Sequence, residues 1–135
     1  MTIKQPNKIL HLADIHIFSK KRHQEFKEQI NKLCSLIVQE KVDLVYVGGD
    51  VVDSKARLTP EQVEVVTHFF YQISNLCPIV MIPGNHDLDL KQSGSLDSLT
   101  PIVDNINATH PIYYLKDTGI YTVYDIDWVV WSCID

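Results

Sequence analysis

The sequence predicts an α/β fold built on a parallel sheet, and three observations carry that reading. Three short runs, 8–13 (KILHLA), 42–47 (VDLVYV) and 78–82 (PIVMI), are apolar nearly throughout, as strands covered on both faces are. Two amphipathic helical patterns lie between them. The polar clusters that follow the runs recur at almost equal steps, 36 positions from Asp14 to Asp50 and 35 from Asp50 to Asn85. That step is the length of one strand plus a crossover, so the order is β-α-β-α-β with right-handed connections.

Each element has a local reason. From Arg22 to Glu40, Phe26, Ile30, Leu33 and Ile37 recur at spacings of four, three and four, which is one face of a helix. The second helix announces its start: Thr59 caps, Pro60 suits the first helical position and Gln62 completes a capping box. Val66, Phe69 and Ile73 continue its apolar face, and Pro78 stops it. A third helical stretch is predicted over Ser95–Ile106, with Leu99, Ile102, Val103 and Ile106 inward and Pro101 opening its second part. The end of the chain, IYYL, IYTVY and DWVVWSCI, predicts three more strands separated by the turn signals KDTG and DID.

The 135 residues suit one domain with one core. With 45% hydrophobic and 21% charged residues, the composition is that of an ordinary globular protein. A formal net charge of −5 argues against holding nucleic acid by bulk charge alone. It leaves room for nucleic-acid chemistry at bound divalent cations, which reverse the local field. No signal peptide or membrane span is evident. Cys34, Cys77 and Cys133 are far apart and form no C-x-x-C pair; they read as small buried residues of a reducing compartment.

The three polar clusters hold the chemistry. They are ADIH with Asp14 and His16, GGDVVD with Asp50 and Asp53, and GNHD with Asn85, His86 and Asp87. All three follow parallel strands, so they meet at the carboxyl edge of one sheet, where open α/β folds bind ligands. Gly48, Gly49 and Gly84 lie inside the clusters and permit close backbone approach. Asp, His and Asn donors without a thiolate suit Mn²⁺, Fe²⁺ or Zn²⁺. Asp14 and His16, two apart on extended chain, point the same way and chelate one ion. Asp50 bridges two ions, and Asn85 gives a neutral oxygen to the second. Such a pair of ions clamps a phosphate and activates water for in-line attack. His86 is left to stabilise phosphoryl oxygens or protonate a leaving alkoxide. Asp87 braces the turn, and Asp53 supports a ligand from behind or caps a helix. His11 alternates away from Asp14 and reads as a core histidine with a hydrogen bond.

D-x-H at 14–16, G-D-x-x-D at 49–53 and G-N-H-D at 84–87, in this order and spacing, resemble the calcineurin-like metallophosphoesterases. KILHLADIH, DLVYVGGDVVDS, MIPGNHD and LDSLTPIV are similar to the SbcD-type nuclease subunit of the double-strand-break repair exonuclease (the meiotic-recombination-eleven family). The protein-phosphatase branch reads G-D-x-V-D-R-G and G-N-H-E, whereas this chain has GDVVDSK and GNHD. The resemblance covers nearly the whole chain. It implies a metallophosphoesterase-type layered sheet with a β-α-β-α-β start, of which residues 1–135 are the N-terminal part, truncated before the second half of the sandwich.

The resemblance also implies roles and partners. Asp14 and His16 hold the first metal, Asp50 bridges, Asn85 holds the second metal and His86 is catalytic. The cofactors are two divalent ions, Mn²⁺ foremost, with Mg²⁺, Fe²⁺ or Zn²⁺ as alternatives. The partners are DNA ends, an SMC-like ATPase subunit of the SbcC type and a second copy in a homodimer. The location is cytoplasmic, beside a nucleoid or a viral replication site, or nuclear in a eukaryote. The family completes its site with a later lone His and a G-H-x-H; here only His86 and His110 follow Asn85, and His110 reads as structural or exposed. Lys20, Lys21 and Arg22 open a helix where positive charge opposes the macrodipole, so DNA phosphates compete with a solvated turn as their explanation. One of Phe69, Phe70 and Tyr71 lies at a homodimer contact or in an ordinary core. Two other functions stay open: a calcineurin-type phosphoesterase acting on nucleotides or phosphoproteins, and a catalytically incomplete module that only folds and dimerises.

Overall fold

A computed structural model describes residues 5–17, 23–52, 58–84, 97 and 99–132. Its elements are β1 (Ile9–Leu12), α1 (His23–Gln39), β2 (Leu44–Val47), α2 (Pro60–Ser74), β3 (Ile79–Met81), α3 (Thr100–Asn105), β4 (Ile112–Tyr114), β5 (Gly119–Val123) and β6 (Ile126–Val130). Strands β1-β2-β3-β4 form one parallel sheet in chain order, and β5-β6 form an antiparallel hairpin. The predicted α/β class and parallel sheet are what the chain adopts.

Sequential order has a consequence. Right-handed crossovers that never reverse direction put every connecting helix on the same face. That face holds the main core, where Ile30 and Ile37 of α1, Val66, Phe69 and Ile73 of α2 and Ile102 of α3 meet Val45, Val47, Ile79 and Met81 of the sheet. The opposite face is covered by the hairpin, through Leu44, Val80, Leu115 and Val130 with Tyr46, Tyr121 and Trp128 around them.

The hairpin does not reach β1. Strands β2 and β3 are buried on both faces as expected, but β1 alternates. Leu10 and Leu12 pack on the helix side, while Ile9 is 42% exposed and His11 is exposed. The expectation of a core His11 is therefore corrected. Its ring lies against Tyr46, with centroids 5.0 Å apart, on an uncovered edge strand. An apolar run cannot reveal which strand will stand at the edge.

The helix ends follow their local chemistry. Thr59 and Gln62 form the predicted capping box of α2, with Pro60 in the first turn. α1 closes on Lys41, which takes a left-handed φ of 55°. Lys41 N–H donates to Val38 O and Val42 N–H to Ile37 O, which is a Schellman closure without its usual glycine. α3 is shorter than its predicted span: among described residues it covers Thr100–Asn105, with Pro101 in its first turn. The β5-β6 turn also shifts by one. Tyr124 and Asp125 both have positive φ, 56° and 59°, making a two-residue mirror-type turn one position earlier than DID suggests.

Candidate metal centre

Beyond Leu12 and Val47 the first two strands stay zipped together while both backbones bend. Gly48 N–H donates to Leu12 O at 2.7 Å, Asp14 N–H to Gly49 O at 3.1 Å, His16 N–H to Asp50 O at 3.0 Å and Ile17 N–H to Val51 O at 2.8 Å. A parallel bridge at Ile17–Val52 ends the run, and Ile17, Val51 and Val52 are fully buried. Between these anchors Asp14, His16 and Asp50 all sit in the left-handed region, with φ of 54°, 52° and 53°. Asp and His are among the residues that tolerate it best, and such outliers gather at functional sites. The chelating pair is thus not on extended chain as the spacing suggested. The side chains meet because the backbone turns left-handed at both residues.

The result is a cluster of three ligand atoms. One donor from each of Asp14, His16 and Asp50 lies within 4.8 Å of the other two. His16 Nε2 is 3.6 Å from Asp14 Oδ1. Asp14 is exposed, and the other two are half-buried, so the cluster opens to solvent on one side. Among described residues no other group of three such side chains converges in this way.

Glycines hold the cluster tight. Gly49, at φ 98°, has no room for a Cβ, which would lie 2.6 Å from Gly84 N. A Cβ on Gly84 would collide with Asp50 at its Oδ1 and its backbone nitrogen. The end of β3 is therefore pressed directly against the Asp50 carboxylate. Two carboxylates and an imidazole, gathered without a thiolate beside such a cradle, fit a hard or borderline divalent cation. Like charges brought this close favour a bound cation over an empty site.

The other predicted site residues distribute as follows. Asn85, His86 and Asp87, together with Asp53, Lys20, Lys21 and Arg22, lie outside the described residues. His11 stands on β1 and is not a member of the cluster. His110 is structural: its Nδ1 lies 2.8 Å from Ser74 O, and its N–H donates to the same oxygen. Phe69 and Phe70 are buried with rings 5.0 Å apart, whereas Tyr71 is exposed. Cys34 and Cys77 are free thiols, and burial pushes Cys77 up to about 11; Cys133 is outside the described residues.

Two features escaped sequence reasoning. Gln62, read only as a capping residue, also donates from Nε2 to Ile17 O at 2.7 Å. Asp97, within LDSLTPIV, is 7% exposed and accepts from Leu99 N–H, Thr100 N–H, Thr100 Oγ1 and Tyr114 OH. An Asp just ahead of an apolar helical pattern was a signal for such local side-chain–backbone bonds.

Comparison with known proteins gives the wider setting. An uncharacterized protein of Acanthamoeba polyphaga mimivirus is 32% identical over 130 residues, which is 94% of this chain and 10% of that protein. The DNA double-strand break repair protein Mre11 of Nanoarchaeum equitans is 28% identical over 93% of this chain and 36% of its own length. An uncharacterized metallophosphoesterase of Helicobacter pylori is 27% identical over 87% of this chain and 30% of its own. The chain thus spans between a tenth and just over a third of these relatives. The family model for calcineurin-like phosphoesterases matches residues 7–133, and the chain belongs to that family.

Proposed function

We propose that the intact protein is a metal-dependent nuclease that hydrolyses DNA phosphodiesters, with these residues forming the N-terminal part of its catalytic domain. The observation that carries the reading is the convergence of Asp14, His16 and Asp50 at one sheet edge, pressed against Gly84 at the head of the GNHD motif. Asp14, His16, Asp50 and Asn85 are the residues that would hold the divalent ions. Ions bound there would supply positive charge to a phosphoryl group and lower the pKa of an attacking water. His86 steadies the phosphoryl oxygens and gives a proton to the departing alkoxide as the P–O bond breaks. Mn²⁺ is the proposed physiological ion.

The nuclease class is preferred over a monoesterase because the GDVVDS and GNHD wording is that of the repair nucleases, and the Mre11 relative matches over most of the chain. Its partners are then DNA ends, a second copy of the chain and an SMC-type ATPase, in a cytoplasmic or nuclear setting. Among described residues, no helix is long and apolar enough to cross a membrane.

The test is Mn²⁺-dependent turnover of linear DNA, a DNA hairpin, a nucleotide monoester and a generic phosphodiester. DNA cleavage lost in Asp50→Asn and in His86→Ala supports the proposal. Turnover of monoesters alone replaces it with a nucleotide or phosphoprotein phosphoesterase. No turnover of any substrate, with Mn²⁺ still bound, replaces it with a folding and dimerisation module.

A further inference from the structure

The sheet edge that carries the acids also carries a cation. Leu12, Val47, Met81 and Tyr114 form one register row across β1–β4. Two residues past the end of each strand stand Asp14, Gly49, Pro83 and Lys116. The strands are parallel, so all four positions share one edge. At the usual strand spacing Tyr114, two residues before Lys116, is roughly 10 Å from Val47 and roughly 14 Å from Leu12 in that row.

Lys116 is held in place there. Its Nζ donates to Thr100 Oγ1 at 3.1 Å and lies 5.6 Å from the centroid of the Tyr114 ring. Thr100 is itself fixed, since its hydroxyl donates to Asp97 Oδ2 at 2.6 Å and its N–H to Oδ1 at 2.9 Å. Asp97 takes four donors without Lys116, so the ammonium is not needed to satisfy it. Lys8 pairs with Glu40 and Lys27 with Glu64. Among the described residues no carboxylate pairs with Lys116 directly. An ammonium has three donors, and the Thr100 bond uses one.

We infer that Lys116 binds a backbone phosphate of a nucleic-acid strand lying across the carboxyl edge, alongside the phosphodiester held at Asp14, His16 and Asp50. This rests on the nuclease reading and extends it to how the substrate is laid down. An already ordered cation costs less conformational freedom on binding. The contact positions the strand and reads no sequence. It also answers the charge problem of an acidic protein with a polyanionic substrate, by placing one cation where the strand must pass.

The test is anisotropy of a fluorescent single-stranded oligonucleotide with the full chain over a salt series, with Ca²⁺ replacing Mn²⁺. Lys116→Gln weakens binding several-fold and lowers the slope of log affinity against log salt by about 0.7. Lys116→Arg keeps the slope. If Lys116→Gln lowers the unfolding midpoint, Lys116→Met, which keeps the stem's packing, is read in its place. A Gln or Met variant with wild-type affinity and slope overturns the role. Equal losses in Lys116→Arg and Lys116→Gln also overturn it, since they mark a packing contact. Wild-type protein that hydrolyses a nucleotide monoester but binds no oligonucleotide overturns the nuclease reading, and this role falls with it. Wild-type protein that binds and cuts DNA while the variants match it removes this role alone.

Discussion

Gln62 Nε2 donates to the carbonyl oxygen of Ile17 at 2.7 Å, and both residues are fully buried. The same side chain accepts from Thr59 N–H at 3.3 Å through Oε1. One amide thus closes the first turn of α2 and pins the segment that leaves His16. A buried carbonyl deprived of its donor costs about 1–3 kcal/mol. Gln62→Leu is expected to destabilise by that amount in urea titration. It should also weaken Mn²⁺ binding in calorimetry, because the segment leaving His16 loses one of its anchors. Unchanged Mn²⁺ affinity in a destabilised variant would show that the tether serves the core alone.

Gly84 is where the cradle is least forgiving. A methyl there collides with the Asp50 backbone as well as its carboxylate, so rotating one side chain cannot relieve it. Gly84→Ala is expected to cut Mn²⁺ affinity at least about tenfold, an energy of about 1.4 kcal/mol. Binding to the native state alone raises its stability, so the Mn²⁺-induced rise in the thermal midpoint should shrink with it. A variant with the wild-type rise would mean that Asp50 and the end of β3 are further apart than the structure has them.

What was legible in the sequence was local. The capping box at Thr59–Gln62, the alternation of α1 and the three terminal strands depend on neighbours within a few positions. The convergence of Asp14, His16 and Asp50 was legible too, because parallel order brings equal offsets to one edge. Long-range facts were not. Gln62 meets Ile17 across 45 positions, and no window contains both. The left-handed backbone at Asp14, His16 and Asp50 comes from two segments of the chain bending together between shared hydrogen bonds. His11 is exposed because the hairpin stops short of β1, and this is a matter of how far a later element extends.

Lys41 offers a stabilising change. It closes α1 at φ 55°, where a Cβ costs about 1–2 kcal/mol that glycine avoids. Glycine gives back part of this through its freer unfolded chain. Lys41→Gly is therefore expected to stabilise by about 0.5–1 kcal/mol, read as a higher urea midpoint at unchanged slope. Lys41→Val should move the midpoint the other way, because branching at Cβ worsens the left-handed clash. Equal midpoints for the glycine and valine variants would contradict the closure described.

Alkaline pH should destabilise the fold through Cys77. Burial holds its thiol up at about 11, against an ordinary value of 9.0. Between those values the unfolded chain loses the proton while the folded chain keeps it. The unfolded state then binds fewer protons, so unfolding becomes easier as pH rises. The Cys77 contribution is intact below pH 9 and is gone once pH passes about 11. Tyr124, raised to about 12 by burial and its hydrogen bond with Tyr113, adds a similar loss that begins near pH 10. Cys34, raised by burial, works in the same direction. Thermal midpoints across pH 8–11 should fall in the wild type and fall less steeply in Cys77→Ala between pH 9 and 10, before tyrosine ionises. Parallel curves for the two proteins over that interval would mean that the thiol ionises as easily folded as unfolded, and that the α2–β3 junction admits water.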